Sequence, residues 1–133
     1  MQPAVALTGN NLVLGRYRPL RPLGSGGGGS VWLAHDEEAG RNVALKVVER
    51  EGKPGARAER EVDAATMLRH PRCLRALALA RDERHVYVAY PYVAGQTLRE
   101  ALRGGAVDDW SAVESAAQVL EALAHAHSKG IVH

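Results

Sequence analysis

A run of small residues near the N-terminus and a lysine farther along the chain are the features whose types and spacing could do chemistry. Glycines lack a Cβ, so backbone amides in such a run can approach phosphate oxygens closely, and the chain can turn tightly between strands. A lysine flanked by apolar residues needs a counter-ion or solvent, because an unpaired buried ammonium is costly. Both features are typical of a site that binds an anion. The run consists of Gly24, Ser25, Gly26, Gly27, Gly28, Gly29 and Ser30, and the lysine is Lys46.

The small-residue run fits the pattern G-x-G-x-x-G-x-V between Gly24 and Val31. Two other interpretations are open for it. A dinucleotide-binding fold contains a similar string, but there the glycines open a helix, whereas Val31 to Ala34 is short, β-branched and aromatic and favours a strand. The same composition suits a flexible linker. A strand at each end of the run and a lysine-bearing strand downstream favour a phosphate-binding loop.

Lys46 ends the string Val43-Ala44-Leu45-Lys46, which lies in a third predicted strand at residues 42–48. This strand is apolar apart from the lysine and a polar first residue, so it should be buried. The alternative for Lys46 is a sheet-edge side chain that extends outward to solvent. A carboxylate brought within reach by another element would favour an ion pair instead.

Glu61 is the candidate carboxylate. It lies in a predicted helix at residues 56–69, which contains no glycine or proline and is rich in Ala, Glu and Arg. Ala65 shares its face at i+4, so Glu61 should point inward. A solvent-exposed pair with Arg57 at i−4 is the alternative, and Glu59 lies on a different face. Glycine loop, strand lysine and helix glutamate, in this order, predict a phosphate site supported by an ion pair.

The elements that must position these residues follow from turns and periodicity. Three strands joined by short turns form an antiparallel meander, and two more strands follow the helix. Gly52 to Gly55 is expected to break the chain before the helix, and Asp108 is the predicted N-cap of the last helix. The sequence predicts an α+β fold: a five-stranded antiparallel sheet with one helix, followed by the first helices of a second unit. The other predicted segments are strands at 16–23, 31–34, 74–80 and 84–90 and helices at 97–102 and 109–129.

The composition of the 133 residues is that of a globular protein, with 46% hydrophobic and 24% charged residues. Lys and Arg number 17 against 15 Asp and Glu, and this small excess indicates no nucleic-acid partner. Cys73 is the only cysteine, so no disulfide can form within these residues, which favours a reducing cytoplasm. No apolar run approaches the roughly 18 residues of a membrane span. We therefore expect a cytoplasmic chain without a membrane segment.

The glycine loop, Lys46 and Glu61 together resemble the ATP-binding lobe of bacterial-type protein serine/threonine kinases. The resemblance runs from Arg16 to His133. It implies that the complete gene product transfers the γ-phosphoryl group of Mg-ATP to a serine or threonine of a protein substrate. Lys46 would hold the α- and β-phosphates, and Glu61 would orient Lys46. The implied division is a leader at 1–15, an N-lobe with the ATP loop and hinge at 16–93, and the start of a helical C-lobe at 94–133.

Residues 86–98 resemble the fifth strand and hinge of the same kinases. By that resemblance Tyr90 is the gatekeeper, the Pro91 carbonyl accepts from the adenine amino group, and the Val93 amide donates to the ring. Proline can serve here because its carbonyl is intact although its N–H is missing. Ordinary core packing is the alternative for the apolar and aromatic positions. By the same resemblance, the apolar side chains that cover the adenine ring are those of Leu23, Val31 and Ala44.

His133 resembles the first histidine of the kinase catalytic-loop motif H-R-D-x-x-x-x-N. The base aspartate, the metal-binding asparagine and the D-F-G aspartate follow that histidine. The resemblance therefore implies a sequence truncated before the catalytic loop, with no metal ligand and no activity of its own. The alternative is a pseudokinase-like module that binds a nucleotide or docks without turnover. Gly28 occupies the loop tip, where relatives often carry a larger side chain, which predicts a costlier closure over phosphate.

Overall fold

Five strands and three helices make up the computed structural model, which describes residues 11–26, 29–50 and 53–133. The strands form an antiparallel sheet in the order β1-β2-β3-β5-β4. This confirms the predicted α+β fold, with a five-stranded antiparallel sheet and a helix beside it. The elements are β1 (Tyr17–Gly26), β2 (Gly29–Asp36), β3 (Arg41–Glu49), α1 (Lys53–Met67), β4 (Ala78–Arg81), β5 (His85–Pro91), α2 (Leu98–Arg103) and α3 (Asp109–Ser128).

β3 is the central strand, and its alternate residues serve the two faces of the sheet. Val43, Leu45 and Val47 are fully buried on one face. Ala44 and Lys46 point to the other face. This division explains why residues 43–48 of the strand are apolar apart from Lys46. The first face packs into an apolar cluster with Tyr17, Ala34, Tyr87 and Ala89.

Helix α1 covers part of the second face with small side chains. Ala58 is buried, and Val62 and Ala65 are partly buried beside it. These three positions follow helical spacing, so they form one stripe that faces the sheet. Small residues in this stripe let the helix axis lie close to the strands. The stripe packs against Val48, Val86 and Val88.

Helix α1 begins earlier than the sequence suggested. The prediction that Gly52 to Gly55 breaks the chain is wrong for its last three residues, because the helix already starts at Lys53. A proline in the first turn loses no hydrogen bond, since the first helical amides have no intrahelical acceptor. Glycine is suited to position 55 because a Cβ there would collide with the carbonyl oxygen of Arg50. The helix ends at Met67, two residues short of the predicted end.

Strand β4 is shorter than predicted. Its ladder with β5 covers Ala78 to Arg81, whereas residues 74–80 were expected to be extended and paired. One further backbone bond precedes the ladder, from the Leu77 amide to the Ala89 carbonyl at 2.7 Å. Leu74 is exposed to solvent. Apolar character alone therefore overestimated the length of this edge strand.

A capping residue directly precedes each of the two later helices. Thr97 caps α2: its hydroxyl accepts from the Glu100 amide at 3.2 Å, and the Glu100 carboxylate accepts from the Thr97 amide at 2.7 Å. Asp108 caps α3 as predicted, and its carboxylate accepts from the Ser111 amide at 2.8 Å. The caps explain why each helix begins at the residue that follows its cap.

The apolar side of α3 is exposed. Trp110 has 78% of its surface open to solvent, and Val113 and Leu120 are exposed as well. A polar contact joins this helix to the segment after α1, because the His125 Nε2 accepts from the Arg69 amide at 3.2 Å. None of the helices in the described part of the chain combines the length and apolar character needed to cross a bilayer.

The carboxylate of Asp36 closes the turn between β2 and β3. Its two oxygens accept from Nε and Nη2 of Arg16, both at 2.8 Å. One of them also accepts from the amides of Glu38 and Ala39. The hydrogen bonds from Arg16 lower the pKa of Asp36 to about 2. This bidentate ion pair links the residue before β1 to the turn between β2 and β3.

Candidate nucleotide-binding site

Lys46 lies in the middle of β3, on the sheet face that α1 partly covers. Backbone pairing places it directly opposite Val31 of β2 and Val88 of β5, and directly opposed residues share a face. Its side chain is 26% exposed. The ammonium therefore leaves the sheet between apolar neighbours, and it requires a charge partner from another element.

Glu61 of α1 supplies that partner. Its Oε2 accepts a hydrogen bond from the Lys46 Nζ at 2.6 Å, and its side chain is 20% exposed. Glu59, the other glutamate of this helix segment, is exposed. The carboxylate of Glu61 thus meets the strand lysine, not Arg57 of its own helix. The structure brings the two predicted residues together, while their roles toward ATP stay predictions.

Tyr90, near the end of β5, is a second partner of Glu61. Its phenol donates to the Glu61 Oε1 at 3.3 Å. Burial, and then the negative charge of Glu61, raise the pKa of the Tyr90 phenol, so the hydroxyl keeps its proton and can donate. The sequence argument placed Tyr90 beside adenine and missed this contact. Register could have suggested it, because Tyr90 follows Val88 by two positions and so shares the face of Lys46.

The glycine loop is the hairpin between β1 and β2. A strand follows it directly, so the dinucleotide-binding alternative is excluded, because there a helix follows the glycines. The backbone pairing on both sides of the loop excludes the flexible linker. Gly27 and Gly28 lie outside the described residues, so the expectations for them remain predictions. The pairing joins Gly24 with Val31, Ser25 with Ser30 and Gly26 with Gly29.

Two glycines of the loop differ in what surrounds them. Gly29 has a φ of 116°, in the left-handed region, and a Cβ there would collide with the carbonyl oxygen of Val47. A Cβ on Gly24 would meet no heavy atom within 4 Å. The fold itself therefore requires glycine at position 29. At position 24 the missing Cβ leaves open space beside the backbone, which a ligand could use.

An apolar surface continues from Lys46 along the same face of the sheet. Val31 shares this face because it lies opposite Lys46, and Ala44 shares it because it precedes Lys46 by two positions. Both side chains are half-buried. Leu23 lies just before the glycine loop on the edge strand β1 and is exposed. This surface would suit a flat apolar ring beside an anion. The contacts of the three side chains with adenine stay predictions.

The predicted hinge follows directly from β5. Pro91 is the last residue of that strand, is half-buried and pairs with Val43. Val93 lies just beyond and is 68% exposed. The hydroxyl of Tyr92 between them accepts from Nη2 of Arg21 at 3.3 Å, which links this segment to β1. The hydrogen bonds of the Pro91 carbonyl and the Val93 amide to adenine stay predictions.

Comparison with known proteins decides which family contains this arrangement. Residues 17–133 match the protein kinase domain family. The match covers the glycine loop, the strand lysine, the helix glutamate and the hinge in one alignment. The chain belongs to the protein kinase family. As in the sequence-based expectation, the sheet with α1 corresponds to a kinase N-lobe, and α2 and α3 to the first helices of a C-lobe.

The relatives of this kinase chain include bacterial serine/threonine-protein kinases. It is 36% identical to pkn2 of Myxococcus xanthus over 96% of its length. It is 33% identical to PrkC of Bacillus subtilis and 34% identical to PknJ of Mycobacterium tuberculosis, each over 91% of its length. The alignments cover 16%, 19% and 21% of these relatives. The chain thus spans about a fifth of the length of the curated relatives it matches.

Protein kinases use Mg²⁺ together with ATP, and they bind the metal through the catalytic-loop asparagine and the D-F-G aspartate. Within residues 11–26, 29–50 and 53–133, no group of three or more His, Cys, Asp or Glu side chains could hold a metal ion. The charged groups that the described residues bring together on this face of the sheet are the ammonium of Lys46 and the carboxylate of Glu61. This donor set fits phosphate oxygens and does not fit Mg²⁺, so no metal ligand is assigned here.

Proposed function

We propose that the chain forms the ATP-binding part of a protein serine/threonine kinase. The whole protein transfers the γ-phosphoryl group of Mg-ATP to a serine or threonine hydroxyl of a protein substrate in the cytoplasm. The observation that carries the proposal is the 2.6 Å contact between Lys46 Nζ and Glu61 Oε2. In protein kinases a strand lysine and a helix glutamate must both be in place for transfer. The likeness to bacterial serine/threonine kinases supports the choice of acceptor.

Lys46 holds the α- and β-phosphates in this proposal. Phosphoryl transfer depends chiefly on positioning and on electrostatic stabilisation of the transferring group. Glu61 keeps the ammonium at a fixed point, so the lysine loses little freedom when the nucleotide binds. The part of the Lys46 side chain that remains exposed is available to phosphate oxygens.

The loop and the hinge hold the two ends of the nucleotide. Backbone amides of the glycine loop cover the phosphates, and at Gly24 no Cβ blocks their approach. Val31 and Ala44 contact the adenine ring beside the lysine. The Pro91 carbonyl and the Val93 amide bind the polar edge of adenine, which distinguishes it from other bases.

The reaction exchanges one phosphorus–oxygen bond for another. The bond between the γ-phosphorus and the β–γ bridging oxygen breaks, and a bond forms between the γ-phosphorus and the hydroxyl oxygen of the substrate. The hydroxyl proton passes to a base, which in protein kinases is the aspartate of the catalytic loop. ADP and the phosphorylated protein are the products.

A phosphoryl-transfer assay tests the proposal. The full-length protein is incubated with Mg²⁺, with ATP labelled in the γ-phosphate, and with acceptor peptides that contain Ser, Thr or Tyr. Label should appear in phosphoserine or phosphothreonine after acid hydrolysis. Nucleotide binding without transfer would indicate the pseudokinase-like module instead. If the protein neither bound ATP nor transferred phosphate, the result would contradict an ATP site on this chain.

A further inference from the structure

We propose that Tyr90 is a positioning residue, whose hydroxyl fixes the carboxylate of Glu61 and through it the ammonium of Lys46. The inference rests on the proposed kinase function and deepens it. It assigns to Tyr90 a role separate from any contact with adenine. The three side chains form one chain of hydrogen bonds from β5 through α1 to β3.

The carboxylate of Glu61 is held at both of its oxygens by different strands. Oε2 accepts from Lys46 on β3, and Oε1 accepts from Tyr90 on β5. The terminal torsion of a glutamate side chain is broad, so a single hydrogen bond leaves the carboxylate free to rotate. A second donor from another strand removes that freedom. The orientation of Oε2 toward the lysine therefore depends on the tyrosine hydroxyl.

The packing of α1 makes this contact more important. The helix faces the sheet with Ala58, Val62 and Ala65, and such small side chains make few dispersion contacts. Tyr90 packs in the same apolar cluster. Its ring therefore packs against this cluster, and its hydroxyl reaches Glu61. The hydrogen bonds at Glu61 therefore add a directional restraint to this apolar packing.

The chemistry of Tyr90 suits a permanent donor. The phenol is held in its neutral form by burial and by the neighbouring carboxylate. A neutral donor adds no second positive charge beside Glu61, so Lys46 remains the group that neutralises it. The tyrosine also lies next to Pro91, the last residue of β5. The same side chain thus links α1 to the strand from which the hinge continues.

Hydrogen exchange in the full-length protein tests the link between β5 and α1 without any need for turnover. Tyr90→Phe removes only the hydroxyl, and exchange of the α1 amides should become about fivefold faster. Tyr87→Phe is the matched control, because Tyr87 lies on the opposite face of the same strand and donates to Asp82. Because Tyr87→Phe also lowers global stability, the comparison is made on α1 amides that exchange by local opening, and Tyr87→Phe should leave their exchange unchanged. Unchanged exchange in Tyr90→Phe would overturn the inference.

A double-mutant cycle with Glu61→Ala separates positioning from general packing. If Tyr90 acts through Glu61, adding Tyr90→Phe to Glu61→Ala should produce no further change in α1 exchange. An equal effect of Tyr90→Phe in both backgrounds would show a role in packing only and would overturn the inference. Failure of the wild-type protein to transfer phosphate would contradict the proposed function, and the exchange data would still decide the role of Tyr90.

Steady-state kinetics provide the functional counterpart. Tyr90→Phe should lower kcat about five- to tenfold and change the KM for ATP by less than about twofold, because the adenine surface stays intact. Tyr87→Phe should keep wild-type kinetics. A rise in the KM for ATP with unchanged kcat would mean that Tyr90 contributes nucleotide binding alone, and would overturn a positioning role.

Discussion

Lys46 and Glu61, 15 positions apart in the sequence, meet with 2.6 Å between Nζ and Oε2. Both side chains are largely buried but reach solvent, so their attraction is partly offset by desolvation and contributes only about 1–2 kcal/mol to the free energy of folding. The contact therefore matters for geometry more than for stability. It fixes the position of α1 relative to the central strand of the sheet.

Removal of the charge of Glu61 should separate activity from stability. In the full-length protein, Glu61→Gln should lower the free energy of unfolding by only about 1–2 kcal/mol, because both groups of the pair still reach solvent. The kcat for phosphoryl transfer should fall on the order of 100-fold, because Lys46 loses its fixed position. Urea denaturation and steady-state phosphorylation measure the two effects. A large loss of stability with little loss of kcat in the folded protein would contradict this interpretation.

Gly29→Ala should destabilise the N-lobe by about 2–4 kcal/mol. The new Cβ would collide with the Val47 carbonyl, and φ at this position is 116°. Urea denaturation measures the loss. An alanine variant with wild-type stability would show that β2 and β3 do not approach as closely as described.

Gly24→Ala is the matched control within the same loop. A Cβ there meets no protein atom within 4 Å, so the free energy of unfolding should stay within about 0.5 kcal/mol of wild type. The KM for ATP should nevertheless rise about tenfold, or ~1.4 kcal/mol, if phosphates approach this backbone. An unchanged KM would remove Gly24 from the phosphate site.

The ion pair of Asp36 with Arg16 should make stability depend on pH in the acid range. The pKa of Asp36 is lowered from 3.8 to about 2 in the folded protein. Its contribution is therefore complete above about pH 5 and is lost as the pH falls toward 2. Asp36→Asn should cost about 1–2 kcal/mol at pH 7, after allowance for the partial exposure of Arg16. The difference in the free energy of unfolding between wild type and Asp36→Asn should shrink toward zero near pH 2.

Glu37→Gln is the control for that experiment. Glu37 also pairs with an arginine, Arg18, at 2.6 Å, but both side chains are exposed. Its replacement should change the free energy of unfolding by less than about 0.5 kcal/mol at any pH. A pH-independent effect of Asp36→Asn, or an equal effect of Glu37→Gln, would refute the special role of Asp36.

Tyr87→Phe should lower stability without affecting the nucleotide site. The Tyr87 hydroxyl donates to the Asp82 Oδ2 at 2.7 Å, and the tyrosine is buried. Loss of this hydrogen bond should cost about 1–2 kcal/mol. Urea denaturation of the variant, with ATP affinity measured in parallel, checks both statements. A weaker ATP affinity at wild-type stability would contradict the separation of the two sheet faces.

Local patterns were sufficient to predict the elements that carry the ion pair. Lys46 lies in an apolar run of strand length, and Glu61 lies in a segment without glycine or proline, so both signals are contained in a few neighbouring residues. The cap at Asp108 is local in the same sense. The sheet and its five strands followed from such signals, and the structure confirms them.

Features that depend on contacts between elements were not predictable in this way. The bond from Tyr90 to Glu61 joins residues 29 positions apart. The length of β4 depends on which of residues 74–80 find a partner on β5, and the apolar pattern does not contain that information. The start of α1 was misjudged because glycine and proline serve equally as helix breakers and as residues of a first helical turn.

Replacement of Lys46 by alanine in the full-length protein tests the central claim most directly. The measurement is the affinity for Mg-ATP together with the rate of phosphoryl transfer. Lys129→Ala is the matched control, because Lys129 is an exposed lysine at the C-cap of α3. We predict that Lys46→Ala abolishes ATP binding or transfer, while Lys129→Ala keeps both within roughly twofold. Wild-type affinity and wild-type phosphorylation in Lys46→Ala would contradict the account.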